Sequence, residues 1–148
     1  MTLEELKEKG LAGEWLTQEG LTTLQGGYLL EGEQPIDMYR RVAHAAASYY
    51  EEPLRSELEK RFFEYIWNNW LCLATPVASN MASDRGLPIS CFGTYMPDNI
   101  SGIFKSYHES AMLTKHGGGV GTYVGAIRAR GSIVKGNGVS EGIIPWLR

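Results

Sequence analysis

Apolar side chains recur at helical spacing in two runs, one after Pro35 and one after Pro53, within residues 35–72. Intervals of three and four residues place side chains on one face of a helix. The spacing therefore predicts two helices that pack face to face, with their tyrosines and tryptophans in the core. The positions are Tyr39, Val42, Ala43, Ala46, Ala47 and Tyr50 in the first run and Leu54, Leu58, Phe62 and Ile66 in the second.

The residues before this helix pair predict helices that are shorter than the two of the pair. Thr2 followed three residues later by Glu5 is a capping-box pattern, which predicts a short helix that ends near Gly10. Glycines interrupt residues 11–33 repeatedly, a pattern typical of short helical turns and loops. The front of the chain is therefore predicted to consist of short helices joined by loops.

The period of the apolar pattern changes in the second half. Residues 87–96 are rich in strand formers, Asp98 suits the N-cap of a helix, and Gly117 suits its left-handed C-terminal position. Strand formers resume at Val120, so the order predicts a βαβ unit with parallel pairing. Both outer edges of such a sheet lack a partner, which favours the start of a larger sheet. The helical face comprises Ile100, Ile103, Phe104, Tyr107 and Ala111.

Composition excludes several classes of protein. The chain has 148 residues, 43% of them apolar, and a net charge of −3, which favours a folded protein over a disordered one or a general nucleic-acid binder. We expect neither a signal peptide nor a membrane span, since no apolar run reaches ~18 residues. Two cysteines are too few for a disulfide scaffold and fit a reducing, cytoplasmic location.

Glycine and charge are distributed unevenly along the chain. No glycine occurs in residues 33–85, whereas twelve occur in residues 86–148. Residues 1–66 carry 7 basic and 13 acidic side chains, whereas residues 67–148 carry 7 and 4. We therefore predict a helical N-terminal domain over residues 1–72 and a second domain over residues 73–148 that begins a binding site.

Three features of the second half are candidates for chemistry. The glycine run 117–121 either exposes N–H groups to a phosphate or ends a helix in a tight turn; it matches neither a P-loop nor a dinucleotide fingerprint. Arg128, Arg130 and Lys135 form either a solvated hairpin or an anion site. Cys91, like Cys72 at the end of the second helix, is by itself expected to be a small buried hydrophobe. The histidines lack metal-ligand spacing, so no metal site is expected.

Three sequence blocks carry a resemblance to a known family. They are LATPVASN at 73–80, DRGLPISC at 84–91, and GGGVG at 117–121 running into IRARGS at 127–132. Their order and spacing resemble the large catalytic subunit of ribonucleotide reductase over about residues 60–148. The resemblance implies the α/β class, with a helical N-terminal domain followed by the first βαβ portion of a ten-stranded barrel. It also implies reduction of the ribose 2′-hydroxyl of ribonucleotides, as in a ribonucleoside-diphosphate reductase, to make deoxyribonucleotides for DNA synthesis; diphosphate and triphosphate substrates are both open.

The resemblance implies roles for residues around the substrate. Cys91 matches a redox-active cysteine that supplies one reducing equivalent and ends in a disulfide with a partner cysteine. Thr75 and Ser90 match substrate contacts, Thr75 near the phosphates. Gly118 and Gly119 match positions where the backbone approaches the nucleotide.

The resemblance further implies an allosteric effector site. Asp98 matches an aspartate that binds the effector deoxyribose, Arg128 matches a phosphate-binding arginine, and Lys135 is a basic helper on the same loop. Asp98 therefore has two candidate roles, as a helix cap and as a ligand.

Other parts of the reaction are expected outside this chain. The resemblance implies a radical from a metal-containing small subunit, with adenosylcobalamin as the alternative, and no cofactor bound by these residues. Expected partners are the remainder of the large subunit, the small subunit, thioredoxin or glutaredoxin, the ribonucleotide substrate and a nucleotide effector, but neither membrane nor nucleic acid. The family's remaining catalytic cysteines lie further along its barrel, so we expect this chain alone to be inactive. A split or intein-interrupted reductase, a truncation product without a role, and a non-enzymatic nucleotide-binding module remain open.

Overall fold

Five α-helices follow one another in the first part of the chain, in a computed structural model that describes residues 1–136 and 138–148. Together they form one unit, Met1–Ile89, and Ser90–Arg148 form a second. A π-helical turn at Leu24–Tyr28 follows the second helix directly. The helices are α1 (Leu3–Glu8), α2 (Gln18–Thr23), α3 (Pro35–Ala47), α4 (Leu54–Trp67) and α5 (Thr75–Asn80).

The capping box at the start of α1 is confirmed. The Thr2 hydroxyl accepts the Glu5 N–H at 3.2 Å, and the Glu5 carboxylate accepts the Thr2 N–H at 2.9 Å. These bonds satisfy donors that the first turn of a helix leaves without partners. Gly10, with φ of +67°, lies just beyond the helix in the left-handed region that glycine tolerates.

The predicted helix pair forms the centre of the first unit. Helices α3 and α4 pack together and bury Val42 and Ala43 against Ile66. Both helices are shorter than predicted, so Tyr50 lies beyond the end of α3 and is exposed. Leu54, the first residue of α4, is also exposed. A second cluster, built mainly from α1, α2 and the turns between them, comprises Leu3, Leu6, Ala12, Leu16, Leu21, Leu24, Met38 and Ala78.

Aromatic rings join the elements of this unit. Trp15, Tyr39 and Trp67 meet edge to face with ring centroids 5.7–6.1 Å apart, and the Trp15 indole N–H donates to the Trp67 carbonyl at 2.8 Å. Burial raises the pKa of the Tyr39 phenol above its ordinary value, and the neighbouring Cys72 adds to the shift. Trp70, in contrast, is exposed.

The expectation that Cys72 is buried at the end of the second helix is wrong. Helix α4 ends at Trp67, and Asn69 turns the chain with φ of +59°. Cys72 follows this turn in non-helical backbone, and its thiol is exposed. The early stop of the helix removes Cys72 from the packed face that its apolar neighbours suggested.

A mostly buried ion pair connects α3 to the end of α5. Arg41 donates to the Glu33 carboxylate at 2.7 and 3.2 Å, and the side chains are only 11% and 14% exposed. The same guanidinium donates to the carbonyls of Ala78, at 3.0 Å, and Met81. Helix α5 is thereby held in the first unit, so the predicted domain boundary after residue 72 lies inside that unit.

The second unit contains the predicted βαβ order. Strand β1 (Cys91–Tyr95) and strand β2 (Gly119–Tyr123) pair in parallel, and α6 (Ile100–Lys115) lies between them in sequence. The paired positions run from Cys91 opposite Gly119 to Tyr95 opposite Tyr123. Gly117 has φ of +84° just after the helix, as predicted.

Helix α6 differs from its prediction in cap and face. Asn99, not Asp98, is the N-cap, since its side-chain oxygen accepts the Gly102 N–H at 2.8 Å. On the helix, Ile103 is buried, whereas Phe104 from the predicted apolar face is 60% exposed. None of the described helices combines the length and apolarity needed to cross a membrane.

The Glu33–Arg41 pair yields a testable dependence of stability on pH. Burial alone would raise the pKa of the Glu33 carboxyl, but the bonds from Arg41 and the Leu30 N–H outweigh it, so the pKa is lowered. A carboxyl with a lowered folded-state pKa stabilises the fold above its unfolded-state pKa, and this stabilisation is lost as pH falls through the folded-state pKa.

We expect Glu33→Gln to lower the free energy of unfolding by about 1–3 kcal/mol near neutral pH, because Arg41 loses its charged acceptor. The difference from wild type should shrink as the pH falls through the acidic range in which this carboxyl titrates. Urea unfolding followed by tryptophan fluorescence measures it. The control Glu31→Gln, at an exposed position, should be neutral; a Glu33→Gln difference independent of pH would contradict the assignment.

Candidate functional site

Cys91 and Ser90 lie at the start of β1, next to the glycine run. Ser90 accepts the Gly119 N–H through its carbonyl at 2.6 Å, and its hydroxyl lies 3.9 Å from the Cys91 sulfur. The Cys91 thiol is exposed, so the expectation of a buried hydrophobe is wrong here also. Side chains alternate across a strand, so Cys91 shares the open sheet face with Tyr95, while Thr94 is buried on the other face.

The glycine run forms a helix stop and a tight turn. The N–H groups of Gly117, Gly118 and Gly119 all donate to carbonyls within the unit at 2.6–2.9 Å. They are therefore not exposed in the manner of an anion-binding nest. Gly118 is also packed closely, because a Cβ atom there would lie 2.6 Å from the ring of Phe92. The N–H groups of Gly118 and Gly119 are therefore bonded within the unit, and nucleotide contacts at these two positions stay a prediction.

Asp98 and Arg128, two of the predicted effector ligands, are brought together. The Arg128 Nε donates to the Asp98 carboxylate at 2.7 Å, and both side chains are about one-third exposed. Arg128 also donates to the Ile133 carbonyl at 3.4 Å. The carboxylate of Asp98 is directed to this arginine, which explains why the neighbouring Asn99 caps α6.

The remaining basic side chains lie along the chain after β2. Ile133 and Val139 form an antiparallel bridge, and Lys135 lies between them in sequence with φ of +25°. Arg130 pairs with Glu141 at 3.5 Å, both side chains being well exposed. This part of the chain fits the solvated-hairpin interpretation, and Arg128 rather than Lys135 bonds to Asp98.

An open cavity of about 580 Å³ lies beside Arg128. Arg130, Glu141 and Arg148 also line it. The sequence did not predict that Arg148 lines this cavity, because its positive charge in the basic half of the chain is the only feature that marks it. Among residues 1–136 and 138–148, no three His, Cys, Asp or Glu side chains are grouped so that they could hold a metal ion.

Thr75 belongs to the first unit, where it begins α5. Its hydroxyl is exposed and lies 2.9 Å from the phenol hydroxyl of Tyr28. Tyr28 is the last residue of the π-helical turn and was not singled out from the sequence. Two preceding glycines at 26 and 27 mark a turn there but indicate nothing about this contact.

Comparisons with known proteins match both units to one family. The family described as "Ribonucleotide reductase, all-alpha domain" matches residues 14–86, and "Ribonucleotide reductase, barrel domain" matches residues 89–148. The chain belongs to the ribonucleotide reductase large-subunit family. This finding confirms the resemblance and the predicted fold class.

Comparisons with individual members of the ribonucleotide reductase family support the same assignment. The chain is 37% identical to the ribonucleoside-diphosphate reductase subunit alpha of Synechocystis sp., over 97% of this chain and 20% of the relative. It is 35% identical to the Arabidopsis thaliana large subunit, over 87% and 16%. The solved structure of the Actinobacillus ureae class Id ribonucleotide reductase alpha subunit gives a TM-score of 0.75 at 38% identity, over 90% of this chain and 24% of that one. The chain spans about a fifth of the length of these curated relatives.

The close packing at Gly118 can be tested by substitution. Gly118→Ala should lower the free energy of unfolding of the reductase barrel segment by about 1–3 kcal/mol, because the added methyl overlaps the Phe92 ring. The matched control is Gly93→Ala, where an added Cβ meets nothing within 4 Å. Circular dichroism of thermal unfolding compares the two. Equal stabilities of the two variants would contradict the packing described.

Proposed function

We propose that the chain forms the helical region and the start of the barrel in the large subunit of a ribonucleoside-diphosphate reductase. In this role it contributes to reducing ribonucleotides to deoxyribonucleotides for DNA synthesis. The observation that carries the proposal is the exposed Cys91 thiol on the open face of the first barrel strand, beside Ser90 and Gly119. The relatives named above support the reaction class.

The proposed chemistry needs two thiols. Cys91 supplies one, and the remainder of the large subunit supplies the other. Together they provide two electrons and two protons, so the ribose 2′-hydroxyl leaves as water, hydrogen replaces it, and a disulfide forms. Thioredoxin or glutaredoxin then restores both thiols by exchange. Ser90, Gly118 and Gly119 contact the nucleotide in this scheme, and Thr75 donates to its phosphates.

Asp98, Arg128 and Lys135 are proposed to bind a nucleotide effector. The cavity beside Arg128, which Arg130 and Arg148 also line, supports an anion-binding role. An arginine fork matches phosphate oxygens, while an aspartate accepts hydrogen bonds from a sugar hydroxyl. Binding would then replace the interaction that these two side chains make with each other.

The radical that starts the reaction is proposed to come from a metal-containing small subunit, with adenosylcobalamin as the alternative source. Either group supplies hydrogen-atom abstraction chemistry, and no residue of this chain is assigned to hold it. The proposed setting is cytoplasmic, where thiols stay reduced.

A chimera tests the proposed reaction. Residues 1–148 replace the matching segment of the Synechocystis subunit alpha, which is assayed with its small subunit and reduced thioredoxin. We expect dithiol-dependent formation of a deoxyribonucleoside diphosphate. Cys91→Ser should reduce activity to below about one hundredth, because one of the two reducing thiols is lost.

The matched control is Cys72→Ser, which removes the other thiol of the chain and should leave activity unchanged. Gel filtration and thermal unfolding establish that each variant is folded. A folded Cys91→Ser chimera as active as the unaltered one would overturn the proposal. Tight binding of deoxynucleoside triphosphates to residues 1–148 alone, with an inactive folded chimera, would instead favour a nucleotide-binding module.

The effector role predicts a specific kinetic defect. In the chimera, Arg128→Gln should raise the concentration of deoxynucleoside triphosphate that half-maximally alters substrate choice by about tenfold or more, because a charge-assisted phosphate contact is lost. Arg61→Gln is the matched control, because Arg61 on α4 is an exposed arginine that lies 3.5 Å from Glu57 and does not line this cavity. Equal effector responses in the two variants would count against Arg128 as a ligand.

A further inference from the structure

The contact between Tyr28 and Thr75 joins two hydroxyl groups, at 2.9 Å. Only one proton can lie between two hydroxyl oxygens, so one group donates and the other accepts. A phenol hydroxyl is a stronger acid than an aliphatic hydroxyl and is therefore the better donor. With Tyr28 donating, the Thr75 oxygen is the acceptor, and its own proton is available to donate elsewhere.

The backbone on both sides of Tyr28 is held in place. Arg85 donates to the Gly27 carbonyl at 3.1 Å and to the Leu29 carbonyl at 2.6 Å. Tyr28 itself packs against the buried cluster that includes Leu24 and Met38. The phenol oxygen therefore has a defined position, although the residue lies at the end of a turn.

The helix that carries Thr75 is held from its other end. Arg41 donates to the carbonyls of Ala78 and Met81, and Glu33 fixes Arg41. The Ser79 hydroxyl donates to the Thr75 carbonyl at 2.9 Å, within the helix. The Thr75 backbone is thus fixed independently of Tyr28, so the phenol controls only the direction of the hydroxyl.

We propose that Tyr28 is a positioning residue for phosphate recognition: it fixes the Thr75 hydroxyl as a donor toward the phosphates of the bound nucleotide. This inference rests on the proposed function, in which Thr75 contacts those phosphates. Without the phenol donor, the Thr75 hydroxyl is free to rotate, and its hydrogen bond to an anion loses its pre-organisation. Nucleotide affinity falls, while the thiol chemistry at Cys91 is unaffected.

The test uses the chimera with Tyr28→Phe, Thr75→Val and the double variant. Tyr28→Phe should raise KM for CDP by about five- to tenfold and leave kcat within about twofold, as expected when binding common to ground and transition states is lost. Thr75→Val should raise KM at least as much. In the Thr75→Val background, Tyr28→Phe should add nothing, since it acts through the removed hydroxyl.

Two competitors locate the effect on the nucleotide. The inhibition constant of inorganic pyrophosphate should rise with KM in Tyr28→Phe, whereas that of cytidine, which lacks phosphates, should stay constant. Tyr49→Phe is the control, because Tyr49 is 84% exposed. Thr75→Ser keeps the hydroxyl and should retain nearly wild-type KM.

Several results would overturn the inference. An unchanged KM in Tyr28→Phe, an equal KM increase in the Thr75→Val background, or a parallel change for cytidine would each exclude the positioning role. If Tyr28→Phe lowers the melting temperature, a raised KM that also appears in a chimera destabilised by Ile103→Val, at a buried residue with no proposed nucleotide contact, would mark the effect as structural. If the chimera is active and Thr75→Val leaves KM unchanged, the positioning role of Tyr28 is refuted and the proposed function is not. If the Cys91→Ser chimera is fully active, the proposed function itself is refuted.

Discussion

The Glu33–Arg41 ion pair is the interaction on which the arrangement of the helical unit depends. Moving two charges out of water is costly, and a mostly buried pair stabilises a fold only when the remaining donors find acceptors. Arg41 meets this condition by donating to two carbonyls at the end of α5 as well as to Glu33. Those carbonyls have no hydrogen-bond partners within the helix. The Arg41 guanidinium therefore finds acceptors for its remaining N–H groups and at the same time supplies donors to the end of α5. The position of Thr75 at the other end of α5 follows from this.

In the βαβ unit, strand pairing has the corresponding role. Parallel pairing places Cys91 opposite Gly119, and the alternation of side chains directs the thiol to the open face. The helix stop before β2 needs glycine at position 117 because the backbone φ there is positive. It needs glycine at position 118 because the Phe92 ring occupies the space of a side chain. The glycine run is therefore explained by local geometry before any ligand is considered, and its amides are already used.

Local signals predicted most of the fold, whereas one left-handed turn and one long-range contact account for the features that they missed. The capping box, the helical periodicity of residues 35–72 and the strand–helix–strand order each concern neighbours in sequence, and the structure contains all three. The stop of α4 near Asn69 and the exposure of Cys72 depend on a left-handed residue that composition did not mark. Asn99 rather than Asp98 caps α6 because Asp98 meets Arg128, thirty residues away.

The same distinction applies to the candidate site. Motifs singled out Cys91, Thr75 and Arg128 because family blocks are local in sequence, but Tyr28 lies forty-seven positions before Thr75 and belongs to no block. A residue that acts through another side chain needs only one atom within hydrogen-bond distance of that side chain. Sequence periodicity and motif spacing therefore do not predict such a residue. The exposed thiol and hydroxyl are the groups available for chemistry, whereas the bonds that fix them involve backbone and half-buried side chains. Residues of this second kind become visible only when a structure shows which polar atoms meet.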